Sequence, residues 1–166
     1  MRDLLPKAER LGALLKARNE TVAIAESSSG GLVSAALLAV PGASAYFQAG
    51  AVVYTQRARV ALLAITEAEM TGMRSSSEPY AELLARTVRE RFGTTWGIAE
   101  TGAAGPSGNR YGDAAGHTCI AISGPVEKVV SVETGSNDRV SNMRAFATSL
   151  LDLLTEAVEA GTGTTI

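Results

Sequence analysis

The chain has 166 residues, of which 46% are hydrophobic and 19% are charged, and it carries a formal net charge of −2 with a pI of about 5.5. This length suffices for one domain with a substantial core, and the mild acidity excludes the basic surface that nucleic-acid binding requires. Cys119 is the only cysteine and His117 the only histidine, which excludes an intramolecular disulfide and a metal site built from several such residues.

The sequence also lacks signals for membrane insertion or export. No apolar run reaches the roughly 20 residues of a membrane-spanning helix, and charges interrupt the first apolar residues too often for a secretory signal. We therefore expect a cytoplasmic protein with no membrane or nucleic-acid partner. We also expect no metal and no other cofactor.

Hydrophobic periodicity predicts helices and strands in alternation. Apolar residues at helical spacing predict helices over 4–19, 32–40, 56–63 and 140–158, and a long helix that begins within 75–79 and ends near Phe92. Residues 66–73 are predicted to form a turn or a short helix. β-Branched and aromatic residues predict strands over 21–25, 45–54, 95–101, 117–123 and 128–133.

The order of these elements predicts a single domain over residues 1–160, followed by a flexible tail at 161–166. Strands that alternate with helices indicate an α/β fold, and Gly124-Pro125 between the last two strands indicates a hairpin. We predict a three-layer α/β/α sandwich with a mixed sheet. Its pocket should lie at the carboxyl ends of the strands that end at Ala25 and Thr101.

Three local signals refine these boundaries. Ser75 and Glu78 have the spacing of a capping box at the start of the long helix. Asn137 or Asp138 is expected to cap the last helix. Gly50 interrupts an aromatic and β-branched segment, so we expect a weak point or a bulge there.

The segment 21–31 has the pattern of a strand, a polar elbow and a helix N-terminus. Thr21–Ala25 is apolar and β-prone, Glu26 and the hydroxyls of residues 27–29 follow, and Gly30-Gly31 opens an apolar helix. Unpaired N–H groups at such a terminus stabilise an anion or a developing oxyanion. One hydroxyl alone would be read as a helix cap, but three hydroxyls exceed what one cap requires.

A second polar segment follows the strand that ends at Thr101. Residues 101–113 are rich in glycine, and Gly102, Gly105 and Gly108 could form a phosphate-binding nest of backbone N–H groups or a simple surface turn. Glu26 and Glu100 each end an apolar strand, where carboxylates commonly face a site.

Several blocks of the sequence, in one register, resemble the C-terminal domain of the competence/damage-inducible CinA proteins. They are ESSSGGL at 26–32, VPGASAYFQAGAVVYT at 40–55, SSSEP at 75–79, TGAAGP at 101–106 and AGHT at 115–118. The resemblance covers nearly the whole chain. It implies a nicotinamide-nucleotide amidohydrolase that acts on a small molecule and forms a homo-oligomer.

The resemblance also implies roles for individual residues. Ser27 occupies the position of the family's nucleophile, and Ser28 and Ser29 stand where cysteine and threonine are usual. The expected catalytic positions are Ser27, Tyr54, Arg59 and His117. The expected substrate-binding positions are Glu26, Ser28, Ser29, Gly30, Gly31, Thr101, Gly102, Gly105 and Arg110.

Arg59 departs from the family pattern, because the resemblance places a lysine there as the base for the serine. A guanidinium stays protonated at neutral pH and cannot take the serine proton, whereas it can bind a phosphate or a carboxylate through two donors. His117 is then the one plausible replacement base. Two hypotheses follow: an amidohydrolase that uses Ser27, and a paralogue that binds a nucleotide or another anion without turnover.

Overall fold

The computed structural model describes residues 1–161 and contains five α-helices, a short 3-10 helix (Ala43–Ala45) and five strands within them. The helices are α1 (Leu5–Arg18), α2 (Leu32–Leu38), α3 (Gln56–Leu63), α4 (Glu78–Phe92) and α5 (Arg139–Ala160). The strands are β1 (Val22–Glu26), β2 (Phe47–Val52), β3 (Trp96–Ala103), β4 (His117–Ser123) and β5 (Lys128–Glu133). The flexible tail predicted for 161–166 lies, beyond Gly161, outside the described residues.

The five strands form one mixed sheet in the order β2-β1-β3-β4-β5. β1 pairs in parallel with both β2 and β3, whereas β4 pairs antiparallel with β3 and with β5. The predicted late hairpin is therefore the β4–β5 pair. Because β1, β2 and β3 run in the same direction, their carboxyl ends meet at one edge of the sheet.

The two faces of the sheet carry side chains of different size. One face presents large residues to α1, α2 and α5, namely Val22, Ile24, Trp96, Ile98, Ile120 and Ile122. The other presents small residues to α4, namely Ala23, Ala25, Ala99, Cys119 and Ala121. Gly97 lies on this second face, where an added Cβ would come within 2.0 Å of the Ala85 carbonyl. The helices thus cover both faces, which confirms the predicted α/β/α sandwich with a mixed sheet.

Some local details differ from the sequence expectations. The register shift between β1 and β2 lies at Gln48 rather than at Gly50. Gly50 is instead a point of close approach, since a Cβ there would lie 2.3 Å from Ser34 Oγ. The cap of α4 is Ser77, whose Oγ accepts from Tyr80 N at 3.4 Å, rather than Ser75.

The expected cap of the last helix is present. Asp138 caps α5 by accepting a hydrogen bond from Ser141 N at 2.7 Å.

Residues 66–73 form turns rather than a helix. Among the described helices, none is long and apolar enough to cross a membrane.

His117, at the start of β4, connects the hairpin to the loop that precedes α4. Its Nδ1 pairs with the carboxylate of Glu133 on β5, and its Nε2 lies 2.9 Å from the carbonyl oxygen of Ser76. Asp113 lies 3.8 Å from Nε2. Both ring nitrogens face acceptors, so this geometry requires N–H on both and hence a charged imidazolium. Burial lowers the pKa of His117, but these acceptors outweigh it and raise the pKa above the ordinary value.

We predict that stability decreases as the pH rises because of this histidine. A raised native pKa stabilises the fold fully below the unfolded-state value, and this contribution is lost as the pH rises through the native pKa. Below pH 6, His117→Gln should lower the free energy of unfolding by about 1 to 3 kcal/mol, and the difference from the wild type should shrink in alkaline buffer. Urea unfolding at a series of pH values measures both. A difference that does not change with pH would contradict the imidazolium assignment.

Candidate functional site

A cleft of about 810 Å³ opens at the carboxyl ends of the three parallel strands. One wall consists of residues at these strand ends, namely Ser27 after β1, residues 53–56 after β2, and Thr101 and Gly102 near the end of β3. The opposite wall comes from the loop before α4 and from residues 109–111. Small-molecule sites commonly fall between about 300 and 1,000 Å³, so the cleft has the size of a small-molecule site.

Glu26 is fully buried at the end of β1 and caps α2 instead of facing the cleft. One carboxylate oxygen accepts from Ser29 Oγ at 2.7 Å, Gly31 N at 3.0 Å and Val33 N at 3.1 Å. The other accepts from the backbone N and the Oγ of Ser34, both at 2.8 Å. The N–H groups at the start of α2 are therefore occupied by a residue of the protein itself.

Glu100 on β3 holds the same elbow from the neighbouring strand. Its carboxylate accepts from Ser27 N at 3.1 Å, Ser29 N at 2.8 Å and Thr118 Oγ1 at 2.9 Å, and also from Ser28 Oγ. Burial raises the pKa of Glu100 above its usual value, although the hydrogen bonds from Ser28, Ser29 and Thr118 oppose this. The four contacts attach the elbow to β3 and β4.

The hydrogen bonds to Glu26 and Glu100 leave two polar groups of the elbow without a partner. Gly30 N donates to the Ser27 carbonyl at 3.2 Å, so four of the five amides of residues 27–31 have partners. Among the described residues, neither the Ser28 N–H nor the Ser27 hydroxyl has a partner. The sequence suggested several unpaired N–H donors at this helix terminus, whereas in the structure only the Ser28 amide of residues 27–31 is unpaired.

Arg59 on α3 reaches the floor of the cleft and is only 5% exposed. One terminal nitrogen of its guanidinium pairs with Glu67, whose side chain is 65% exposed. The guanidinium carbon lies 6.0 Å from the centre of the buried Tyr80 ring. Its Nε is buried without a partner and is the one such side-chain atom in residues 1–161. The sequence placed Arg59 in the site, and the structure shows it lining the cleft.

Arg74, which lines the cleft, forms an ion pair with Asp113 that sequence reasoning did not single out. The Arg74 guanidinium donates to both carboxylate oxygens of Asp113, at 2.6 and 3.0 Å. Arg74 holds the pKa of Asp113 below its usual range, although burial opposes this. Ser76 follows with a positive φ of 56°, and its amide donates to Thr101 Oγ1 at 3.1 Å. The feature of the sequence that could have marked Arg74 as a site residue is its position directly before the SSSEP block.

A smaller recess of about 240 Å³ adjoins the cleft. Tyr54 and Gly102 line both spaces, and Gly105 and Arg139 line the recess. The Arg139 guanidinium donates to the Gly105 carbonyl at 2.5 Å and to the Tyr54 hydroxyl at 3.3 Å. Arg139 lies just after the cap of α5, and no motif in the sequence analysis marked it as a site residue.

The structure gathers some of the predicted residues and separates others. Ser27, Tyr54, Arg59, Thr101, Gly102 and Arg110 line the cleft. Ser28 and Gly105 line the recess, whereas Ser29, Gly30, Gly31, Glu26 and His117 line neither. Since both nitrogens of His117 already face acceptors, this ring has no free lone pair for a proton from Ser27. No group of three or more potential metal ligands occurs within the part of the chain that is described.

Comparisons with known proteins identify the family. The CinA C-terminal domain model matches residues 5–158. A CinA-like protein of Anaeromyxobacter sp. (strain K) is 39% identical over 155 residues, which cover 92% of this chain and 38% of that protein. A CinA-like protein of Gloeobacter violaceus is 38% identical over 149 residues, which cover 89% of this chain and 35% of that protein. The chain thus spans less than two-fifths of the length of these relatives.

Solved structures share the fold. A CinA superfamily protein from Klebsiella pneumoniae superposes with a TM-score of 0.88 at 22% identity, covering 95% of this chain and 98% of that one. A competence/damage inducible protein from Agrobacterium tumefaciens superposes with a TM-score of 0.84 at 26% identity, covering 95% of this chain and 96% of that one. The chain belongs to the CinA C-terminal domain family.

Proposed function

We propose that this protein is an amidohydrolase that acts on a nicotinamide mononucleotide-like substrate, with Ser27 as the nucleophile. The observation that carries the proposal is the unpaired Ser27 hydroxyl beside the unpaired Ser28 N–H, at a turn from strand to helix. A serine at such an elbow attacks a carbonyl carbon, and the N–H of the next residue stabilises the oxyanion that forms. Acyl transfer to Ser27 would release ammonia, and water would then release the acid.

The recess supports a role in holding a phosphate. Residues 102–105 and 107–109 line the recess together with Arg139, whose guanidinium donates to the Gly105 carbonyl. Backbone N–H groups and an arginine are the donors that phosphate oxygens require. A mononucleotide could then extend from the elbow in the cleft to the recess, because Tyr54 and Gly102 line both spaces.

The proposed mechanism lacks a strong general base. Arg59 stands where the resemblance implies a lysine, and a guanidinium cannot accept the Ser27 proton at neutral pH. His117 is not the base in this proposal, because both of its ring nitrogens face acceptors. A general base contributes about 10²- to 10⁴-fold to such reactions, so we expect slow turnover.

Binding without turnover is the second candidate function, and the position of Arg59 favours it. A charged guanidinium at the floor of a cleft is suited to an anionic ligand and unsuited to proton abstraction. Under this alternative, calorimetry would detect binding of nicotinamide mononucleotide to the wild type, and no ammonia would form.

The nucleophile is tested by Ser27→Ala. This change removes the hydroxyl, and we expect ammonia release from nicotinamide mononucleotide to fall to the uncatalysed rate. Ser44→Ala, an exposed serine outside the cleft, is the matched control and should retain full activity. A coupled ammonia assay measures both variants. Undiminished activity in Ser27→Ala would exclude Ser27 as the nucleophile.

The missing base is tested by Arg59→Lys combined with Glu67→Gln. Burial lowers the pKa of a lysine amine, and the second change removes the carboxylate that would keep this amine charged. We expect ammonia release to rise on the order of 100-fold above the wild type. Arg57→Lys with Glu67→Gln is the control, since Arg57 is exposed on the same helix. An equal rise in both double variants would show that residue 59 is not the position of the base.

A further inference from the structure

The guanidinium of Arg59 has a donor that the protein leaves unused. Arg59 is only 5% exposed, yet its Nε has no hydrogen-bond partner. Leaving a buried charged donor unpaired is costly, so native proteins rarely leave one. Nε itself is closed to solvent, but Arg59 lines the cleft, so an anionic ligand that competes with Glu67 for the guanidinium can supply an acceptor.

The charges around Arg59 indicate what kind of acceptor fits. Arg59, Arg74 and Arg110 line the cleft, and Glu67 is the one carboxylate among its described lining residues. Glu67 meets a terminal nitrogen of Arg59 from the exposed side and does not reach Nε. Glu67 pairs with Arg59 and Asp113 pairs with Arg74, so Arg110 gives the cleft its excess of positive charge, which an anionic ligand group can neutralise.

The geometry of a guanidinium discriminates between an acid and its amide. All its N–H groups are donors and it has no acceptor, so two carboxylate oxygens match it through two hydrogen bonds. A carboxamide offers one oxygen acceptor, and its own N–H₂ group would face further donors. An amide is therefore a mismatch at this position for the same reason that an acid fits.

We propose that Arg59 is a carboxylate-recognition residue and that the cleft binds a small carboxylic acid in preference to the corresponding carboxamide. The proposal shares its cleft with the proposed function and names the ligand class that residue 59 selects, but it does not require turnover. In an amidohydrolase the preferred ligand would be the product acid. In a binding protein the acid itself would be the ligand.

Calorimetry with two acid and amide pairs tests this preference. The probes are nicotinic acid mononucleotide with nicotinamide mononucleotide, and benzoate with benzamide. The titrations use the Ser27→Ala variant, so that no amide is consumed. We expect at least one acid to bind about 10- to 100-fold more tightly than its amide. Equal affinity within both pairs, or no binding by either acid, would overturn the proposal.

Three substitutions in the same background assign the preference to Arg59. Arg59→Gln should remove the preference for the acid, while Arg57→Gln on the exposed side of α3 should leave it unchanged. Glu67→Gln removes a competing carboxylate at an exposed position and should increase the affinity for the acid. An acid preference that persists in Arg59→Gln would overturn the proposal. If Arg59→Gln does not fold, an unchanged acid affinity in Glu67→Gln would do so.

Ammonia release separates this test from that of the proposed function. A wild type that prefers the acid but releases no ammonia would support carboxylate recognition and contradict the amidohydrolase. Ammonia release by the wild type, together with equal affinities for acid and amide in the Ser27→Ala variant, would support the amidohydrolase and contradict carboxylate recognition.

Discussion

Two buried carboxylates, Glu26 and Glu100, hold the elbow between β1 and α2, and the geometry of the cleft depends on them. Taking a carboxylate out of water costs several kcal/mol unless hydrogen bonds replace the lost hydration. Glu26 accepts five hydrogen bonds from residues 29–34, and Glu100 accepts three from residues 27–29 of the elbow and one from Thr118 on β4. Because these bonds use nearly every polar group of the turn, they fix the backbone that carries Ser27.

The same two residues explain why three consecutive serines have different roles. Ser29 donates to Glu26 and Ser28 to Glu100, so their hydroxyls are part of the scaffold. Ser27 is left with its hydroxyl on the cleft wall. None of the three hydroxyls accepts an N–H of α2, so none caps this helix; two support the elbow and the third lines the cleft.

Much of the fold could be predicted from the sequence, because it depends on periodicity. The limits of α3, β4 and β5 match the predicted ranges, since strong polar or Gly-Pro signals border these segments. The site was harder to predict, because its key contacts join residues far apart in the chain. The use of Glu26 as a cap, the Arg74–Asp113 pair and the reach of Arg139 to Tyr54 have no local pattern. Arg59 was found only because the sequence resembles a family in which that position matters.

The unequal faces of the sheet have a consequence for how the cleft could change during evolution. Alanine and glycine on one face let α4 lie close to the strands, and α4 carries Tyr80 and follows directly on the loop at 74–77. Side-chain volume on that face therefore sets the distance between the two walls of the cleft. Exchange of a single small residue there for a larger one would move a whole wall without altering any residue that touches a ligand. Ligand size in such a fold can thus be tuned from the interior of the protein.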